Sequence, residues 1–334
     1  MEENVKSGSL RLGIIGAGAM GAQHAGAAQG VEGVEVAAVA EVHPEEREKF
    51  AKHFKCKAYA HYEDMLAQEH LGAVVVALPN LLHCQATVKA AQAGCHVLVE
   101  KPLAVDLEEC DQMIEAAKAN EVKLMVGHNY HSNPYYLKAK EIVESGEVGR
   151  IVLAWDHRLG PRLSSRASPP DWYFVRSQGG GMLMMNGVHF IGRLRWLVGS
   201  PVVAVKGMAR NFAQPVRGDD TGLIVLHFAN GVYATIQMVG LPGSVKRHET
   251  ELVCEKGMIK ILPALWVSTD SSYKKVAVQE FSAFTRQMSS FVEAIRNNQE
   301  PPMTGEMGKV VIAIVLAVEK SSQTGREVLL EGQG

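Results

Sequence analysis

The segment Gly16-Ala17-Gly18-Ala19-Met20-Gly21 limits what this chain can fold into more than any other. Alone, G-x-G-x-x-G says little, because glycine-rich turns are common. Here it directly follows the apolar run Leu12 to Ile15 and opens a helical stretch, the strand–turn–helix setting of a dinucleotide-binding Rossmann fold. Gly16 permits the tight turn, Gly18 lets the backbone approach a pyrophosphate, and Gly21 lets helix and strand pack closely. Ala17, Ala19 and Met20 fill out the turn, and the helix start turns free N–H groups and a positive dipole end toward the phosphates.

Twenty residues after Gly21, at the end of the second apolar run, stands Glu41. A carboxylate there hydrogen-bonds the adenosine ribose hydroxyls and repels a 2′-phosphate. Neither Val42 nor His43 is an arginine able to hold that phosphate, although His43 leaves room for NADP(H). The cofactor expected is NAD(H), with NADP(H) possible. The alternative is a structural glycine turn beside a solvated Glu41.

The runs Leu12–Ile15, Val34–Ala40, Ala73–Leu78, Val97–Val99 and Lys123–Val126 are continuously apolar, as strands buried on both faces of a parallel sheet require. Between them lie helix candidates with recognisable ends: Pro44 before Glu45–Phe54, Gly94 after Leu82–Ala93, and Asp106 as a cap. This alternation predicts a doubly wound α/β domain over residues 1–127. From residue 128 onward the pattern becomes successive strands: Ile151–Arg158, Val202–Asn211, Thr221–Phe228, Val232–Val239, His248–Cys254 and Gly257–Ile261. Asn230-Gly231 and Lys256-Gly257 supply turns. Residues 128–334 therefore read as an α+β domain with an open, mostly antiparallel sheet. A helix with Phe281, Phe284, Met288, Phe291 and Ile295 on one stripe follows, and then a last helix ending near Ser322.

A net charge of −2 gives no reason to expect nucleic acid or an anionic membrane as partner. The apolar run Val310–Val318 is too short for a membrane span, and Met1-Glu2-Glu3-Asn4 lacks the layout of a secretory signal. The five cysteines, Cys56, Cys84, Cys95, Cys110 and Cys254, are widely spaced with no Cys-x-x-Cys. Reduced thiols in a cytoplasmic protein are expected.

Ligands of such a sheet bind beyond the carboxyl ends of its strands. Leu78-Pro79-Asn80-Leu81-Leu82-His83 ends one strand and Glu100-Lys101-Pro102 ends the next. A lysine there can donate a hydrogen bond to the oxygen of an alcohol or carbonyl substrate; it can equally be a surface lysine on a turn. These segments, the glycine fingerprint and Leu103, Gly127, Pro134, Gly179-Gly180-Gly181, Gly187-Val188-His189, Phe291–Arg296 and Pro301-Pro302-Met303-Thr304 occur in one order along nearly the whole chain. Together they resemble the glucose–fructose oxidoreductase, inositol dehydrogenase and MocA-type oxidoreductase family.

The resemblance implies an NAD(P)-dependent dehydrogenase of CH–OH groups in sugars, inositols or related polyols, or of the matching carbonyls. It implies a homodimer or homotetramer built through the open sheet. Lys101 matches the family's catalytic and substrate-binding lysine, and His189 its proton-transferring histidine. Leu78, Pro79, Asn80, His83, Glu100 and Asn129 fall where the family binds cofactor. Tyr130, His131, Trp172 and Asn186 are candidates to line the substrate pocket, with plain packing the equal alternative for Tyr130; Arg162 and Arg166 are candidates to meet an acidic substrate or equally to be solvated. The pair His128-x-x-His131 lacks nearby cysteines or carboxylates to complete a metal set, so no metal is expected.

His128-Asn129-Tyr130-His131 stands where the family often has an arginine near position 131, and two positions around His189 also depart from the family pattern. Met185 stands where many members carry an aspartate four residues before the histidine, and Gly192 where another is usual. Asn186 is polar but cannot act as a general base. His189, beside Val188, Phe190 and Ile191, also admits a buried structural role. The departures leave room for two other functions: a redox-neutral lyase or glycosidase with tightly bound NAD, and a non-catalytic NAD-binding regulator.

Overall fold

The computed structural model describes residues 9–161, 171–212, 218–241 and 243–330. They form two compact units. The first takes the chain up to Ser132 together with Phe281–Lys309, and the second takes Asn133–Glu280 with the chain from Val310.

In the first unit, β1 (Leu10–Ile15), β2 (Val34–Ala40), β3 (Lys57–Tyr59), β4 (Ala73–Val76), β5 (His96–Val99) and β6 (Leu124–Val126) form a sheet of order β3-β2-β1-β4-β5-β6. Every pairing is parallel. All four residues of β4 are buried, as a central parallel strand covered on both faces must be. The short β3, with its polar Lys57, carries no apolar run and has no counterpart in the sequence reading. The topology reverses between β1 and β4, so a ligand site belongs at their carboxyl ends.

Helix ends follow the sequence signals. Pro44 opens the helix Pro44–Phe54, Asp106 Oδ1 accepts the Glu109 N–H at the head of Leu107–Ala119, and Gly94 takes a positive φ after His83–Gln92. The division expected at residue 127 differs from the compact units. The helix Ala283–Arg296 belongs with the first, because Met288, Phe291, Val292 and Ile295 join one core with Ile14, Val39, Val75 and Leu98. Phe281 lies before this helix, 42% exposed, and Ser282 caps it by accepting the Thr285 N–H.

In the second unit, nine strands run in the order β14-β13-β12-β11-β7-β10-β9-β8-β15. They are β7 (Ile151–Leu159), β8 (Val202–Arg210), β9 (Thr221–Phe228), β10 (Tyr233–Val239), β11 (Arg247–Cys254), β12 (Gly257–Ile261), β13 (Leu265–Ser268), β14 (Lys274–Lys275) and β15 (Val328–Leu329). The pairings are antiparallel except β7 with β10, so the sheet is mixed. Asn230-Gly231 turns β9 into β10, with Gly231 at φ 85. One face buries Ala154, Ile224, Leu226, Ala234, Ile236 and Leu252; the other leaves Leu153, Leu223 and Tyr233 open. No helix among the described residues is long and apolar enough to cross a membrane.

Candidate dinucleotide site and catalytic residues

The glycine loop between β1 and the helix Ala19–Gln29 has the shape a pyrophosphate needs. Gly16 sits at φ 102, where a Cβ would fall 2.6 Å from the Ala77 carbonyl oxygen. A Cβ on Gly21 would lie 1.9 Å from the Gly16 oxygen, so only glycine lets the helix approach the turn. A Cβ on Gly18 would meet nothing within 4 Å: this position is open space rather than tight packing. Gly18 heads the helix without a side-chain cap, which leaves the first-turn N–H groups for an anion. These residues fit a dinucleotide.

Glu41 stands half-buried at the end of β2 and accepts the Ala17 N–H on Oε2 and the His43 N–H on Oε1, both at 3.0 Å. It ties the glycine loop to the strand end where a ribose would sit. An arginine is present at this end after all: the helix Pro44–Phe54 brings Arg47 back, and its Nη1 donates to the Glu41 oxygen at 2.8 Å. Arg47 stands a helical turn beyond the residues next to Glu41, so no local signal marks it. These residues fit NAD(H), with NADP(H) possible beside Arg47.

The loops after β4 and β5 are linked by His83. Fully buried, its ring nitrogens lie 2.8 Å from the Pro102 oxygen and 2.9 Å from the Leu78 oxygen. Burial holds this imidazole below its usual range, against the pull of the two carbonyls. A neutral imidazole donates from one nitrogen only, so one of these two contacts is a hydrogen bond, and His83 ties the loop that carries Pro79 and the buried Asn80 to the one that carries Pro102. Glu100 stands in the second of these loops. It is 4% exposed, Oε1 lies 2.7 Å from His24 Nε2, and Oε2 accepts the Lys101 N–H.

Lys101 is half-buried at the carboxyl end of β5. After β6, a turn Asn129–Ser132 follows His128, which burial, aided by the charges of His131 and Lys101, pushes down to about 3. Asn129 and His131 are half-buried, whereas Tyr130 is 3% exposed with its ring 5.3 Å from that of His128 and 4.5 Å from that of His131. Its hydroxyl meets Met303 Sδ at 3.9 Å, a contact that fits the packing alternative for Tyr130. Among the described residues no group of three His, Cys, Asp or Glu is placed to hold a metal ion.

In the second unit a π-type turn, Leu183–Gly187, runs into the helix Val188–Val198, which carries a half-buried His189. Met185 is buried and Asn186 half-buried in that turn. Gly180 and Gly181 are packing requirements: a Cβ on either would come within 2.6 Å of the Trp172 oxygen or of Asp219 Oδ1. Asp219 Oδ2 accepts the Leu183 N–H at the head of the turn. One turn beyond His189, Arg193 pairs with Asp156 in the interior, and Thr250 donates to the same carboxylate at 2.9 Å. Asp219, Asp156 and Arg193 carry no local motif and were not legible in the sequence. Trp172 is half-buried in the turn Asp171–Phe174, while Arg162, Arg166 and the side chain of Asp171 lie outside the described residues.

Comparison with known proteins decides the family. Residues 10–128 match the GFO/IDH/MocA model described as oxidoreductase family, NAD-binding Rossmann fold, and residues 136–260 match its C-terminal domain. The chain belongs to the GFO/IDH/MocA oxidoreductase family. It is 28% identical to the uncharacterized oxidoreductase YrbE of Bacillus subtilis, over 96% of each chain. It is 27% identical to the myo-inositol 2-dehydrogenase of Thermotoga maritima, over 96% of this chain and 99% of that one. Among solved structures, the WlbA dehydrogenase of Bordetella pertussis, in complex with NADH and UDP-GlcNAcA, superposes with a TM-score of 0.85 at 23% identity. That likeness covers 98% of this chain and 99% of the other, and it bears on the fold alone. This GFO/IDH/MocA member is an NAD-binding oxidoreductase.

Proposed function

We propose that the chain transfers a hydride between NAD(H) and a secondary alcohol, or the matching carbonyl, of a sugar, inositol or related polyol. The observation that carries this reading is the open glycine cradle in the same sheet that ends β5 in Lys101. The likeness to an inositol dehydrogenase supports the polyol class. Bound NAD supplies or takes the hydride. The Lys101 ammonium donates to the reacting oxygen as it gains negative charge, and His189 takes or returns the hydroxyl proton. Asn129 serves the cofactor; His131, Trp172 and Asn186 serve the substrate.

Turnover of sugars, inositols and their keto forms with NAD⁺ or NADH, followed at the nicotinamide absorbance, tests this. Lys101→Ala and His189→Ala are each expected to lower kcat about 10²–10⁴-fold while cofactor titrations stay near wild type. Near-normal turnover in both variants would overturn the mechanism, and substrate conversion without net NADH change would point to redox-neutral chemistry.

The open sheet face, with Leu153, Leu223 and Tyr233 between 38% and 46% exposed on neighbouring strands, supports a homodimer or homotetramer. Five free thiols fit a reducing, cytoplasmic setting.

A further inference from the structure

Behind Lys101 lies a buried pair that hydride transfer does not use directly. His24, on the helix that starts at the glycine cradle, and Glu100 have side chains 0% and 5% exposed. A carboxylate only accepts, so the hydrogen of the 2.7 Å contact belongs to His24 Nε2. Nδ1 has no hydrogen-bond partner among the described residues, and a second N–H there would be buried without an acceptor. The Nε2–H bond orients the carboxylate. Burial pushes the Glu100 carboxyl up, but the His24 bond and the nearby Lys101 and His83 hold it below its usual range.

The groups that face Glu100 are few. His24 comes from the helix Ala19–Gln29, and His83, kept low by burial, from the helix His83–Gln92. Lys101 is its neighbour in the chain, and its charge also acts on His128. The helix Ala283–Arg296 contributes the uncharged Phe284, whose ring lies 5.4 Å from that of His24. Gly127 leaves room for the carboxylate, since a Cβ there would come 3.2 Å from Oε1. Lys101 is thus the cation beside a carboxylate that is itself buried.

We propose that Glu100 is the fixed counter-charge of Lys101, and that His24 holds that carboxylate in place from the dinucleotide-binding helix. Both act as positioning residues. They keep Lys101 an ammonium, the form that donates to the reacting oxygen, and so the inference rests on the reading of Lys101 given above. The His24 contact also joins the cofactor helix to the catalytic loop through one hydrogen bond.

Reductive ¹³C-methylation of the full-length protein, with the Lys101 resonance identified by its loss in Lys101→Arg, reads the lysine's titration midpoint by NMR without any substrate. Glu100→Gln is expected to lower that midpoint by about one unit or more. His24→Leu is expected to lower it less, and His24→Gln, whose amide N–H still reaches toward Oε1, to bring it back toward wild type. A folded Glu100→Gln protein with its midpoint within about 0.3 unit of wild type overturns the proposal. If circular dichroism shows that Glu100→Gln does not fold, Glu100→Asp, which withdraws the carboxylate by one methylene, is read by the same criterion. Near-normal turnover of Lys101→Ala sinks the catalytic reading alone, whereas an unmoved midpoint beside an inactive Lys101→Ala sinks this inference alone.

Discussion

Glu41 shows how far one residue's role depends on what folding brings beside it. Its type and its distance from the glycine loop mark a ribose-binding carboxylate, and the structure adds its two backbone donors, Ala17 and His43. Removing the carboxylate also removes the repulsion that disfavours a 2′-phosphate, while Arg47 stays at the strand end. Glu41→Ala is therefore expected to weaken NAD(H) by about 1–3 kcal/mol and to raise the relative affinity for NADP(H). Fluorescence titration of both cofactors checks this, and an unchanged preference would remove Glu41 from the ribose site. His83 and Glu100 teach the complementary lesson. Their place in a family motif points to the cofactor, and the structure adds the contacts to Leu78, Pro102, His24 and Lys101 that fix their side chains.

Among elements, the helix Val188–Val198 carries His189, the proposed proton carrier. Arg193 anchors it to β7 through Asp156, with the guanidinium 4.6 Å from the centre of the Tyr136 ring. Burial pushes the Asp156 carboxyl up, but Arg193 and His248 outweigh burial and hold it below the carboxylate range. Such a depressed folded value stabilises above the unfolded carboxylate pKa of about 4. The contribution is lost as pH falls through the lower folded value. Asp156→Asn leaves the arginine buried with a neutral partner and is expected to cost roughly 3–5 kcal/mol at pH 7. The gap from wild type is expected to close in strong acid. Urea melts of both proteins at several pH values test it; a gap independent of pH would mean that shape rather than charge holds the helix.

At the scale of the whole molecule, sequence and structure part over where the first unit ends. A break at residue 127 follows from the change from alternating strands and helices to successive strands. The structure nevertheless returns Ala283–Arg296 to the first core. A fragment ending at residue 127 loses Met288, Phe291, Val292 and Ile295 from that core. It is expected to bind a hydrophobic dye and to melt without a cooperative transition. A sharp thermal transition in that fragment would show that the helix is dispensable.

The sequence by itself determined the parallel sheet, its glycine loop and most strand and helix ends. Each of these rests on local requirements: a φ that only glycine tolerates, a run of apolar residues, a cap. The order of dispersed motifs singled out Lys101 and His189 for the proposed chemistry. Tertiary structure alone decided that Arg47 reaches the ribose end, that Tyr130 meets Met303, that His24 backs Glu100 and that Asp156 meets Arg193. Those pairings join residues whose separation in the chain bears no relation to their distance in space. A charge or hydroxyl acquires its role only from the partner that folding places against it.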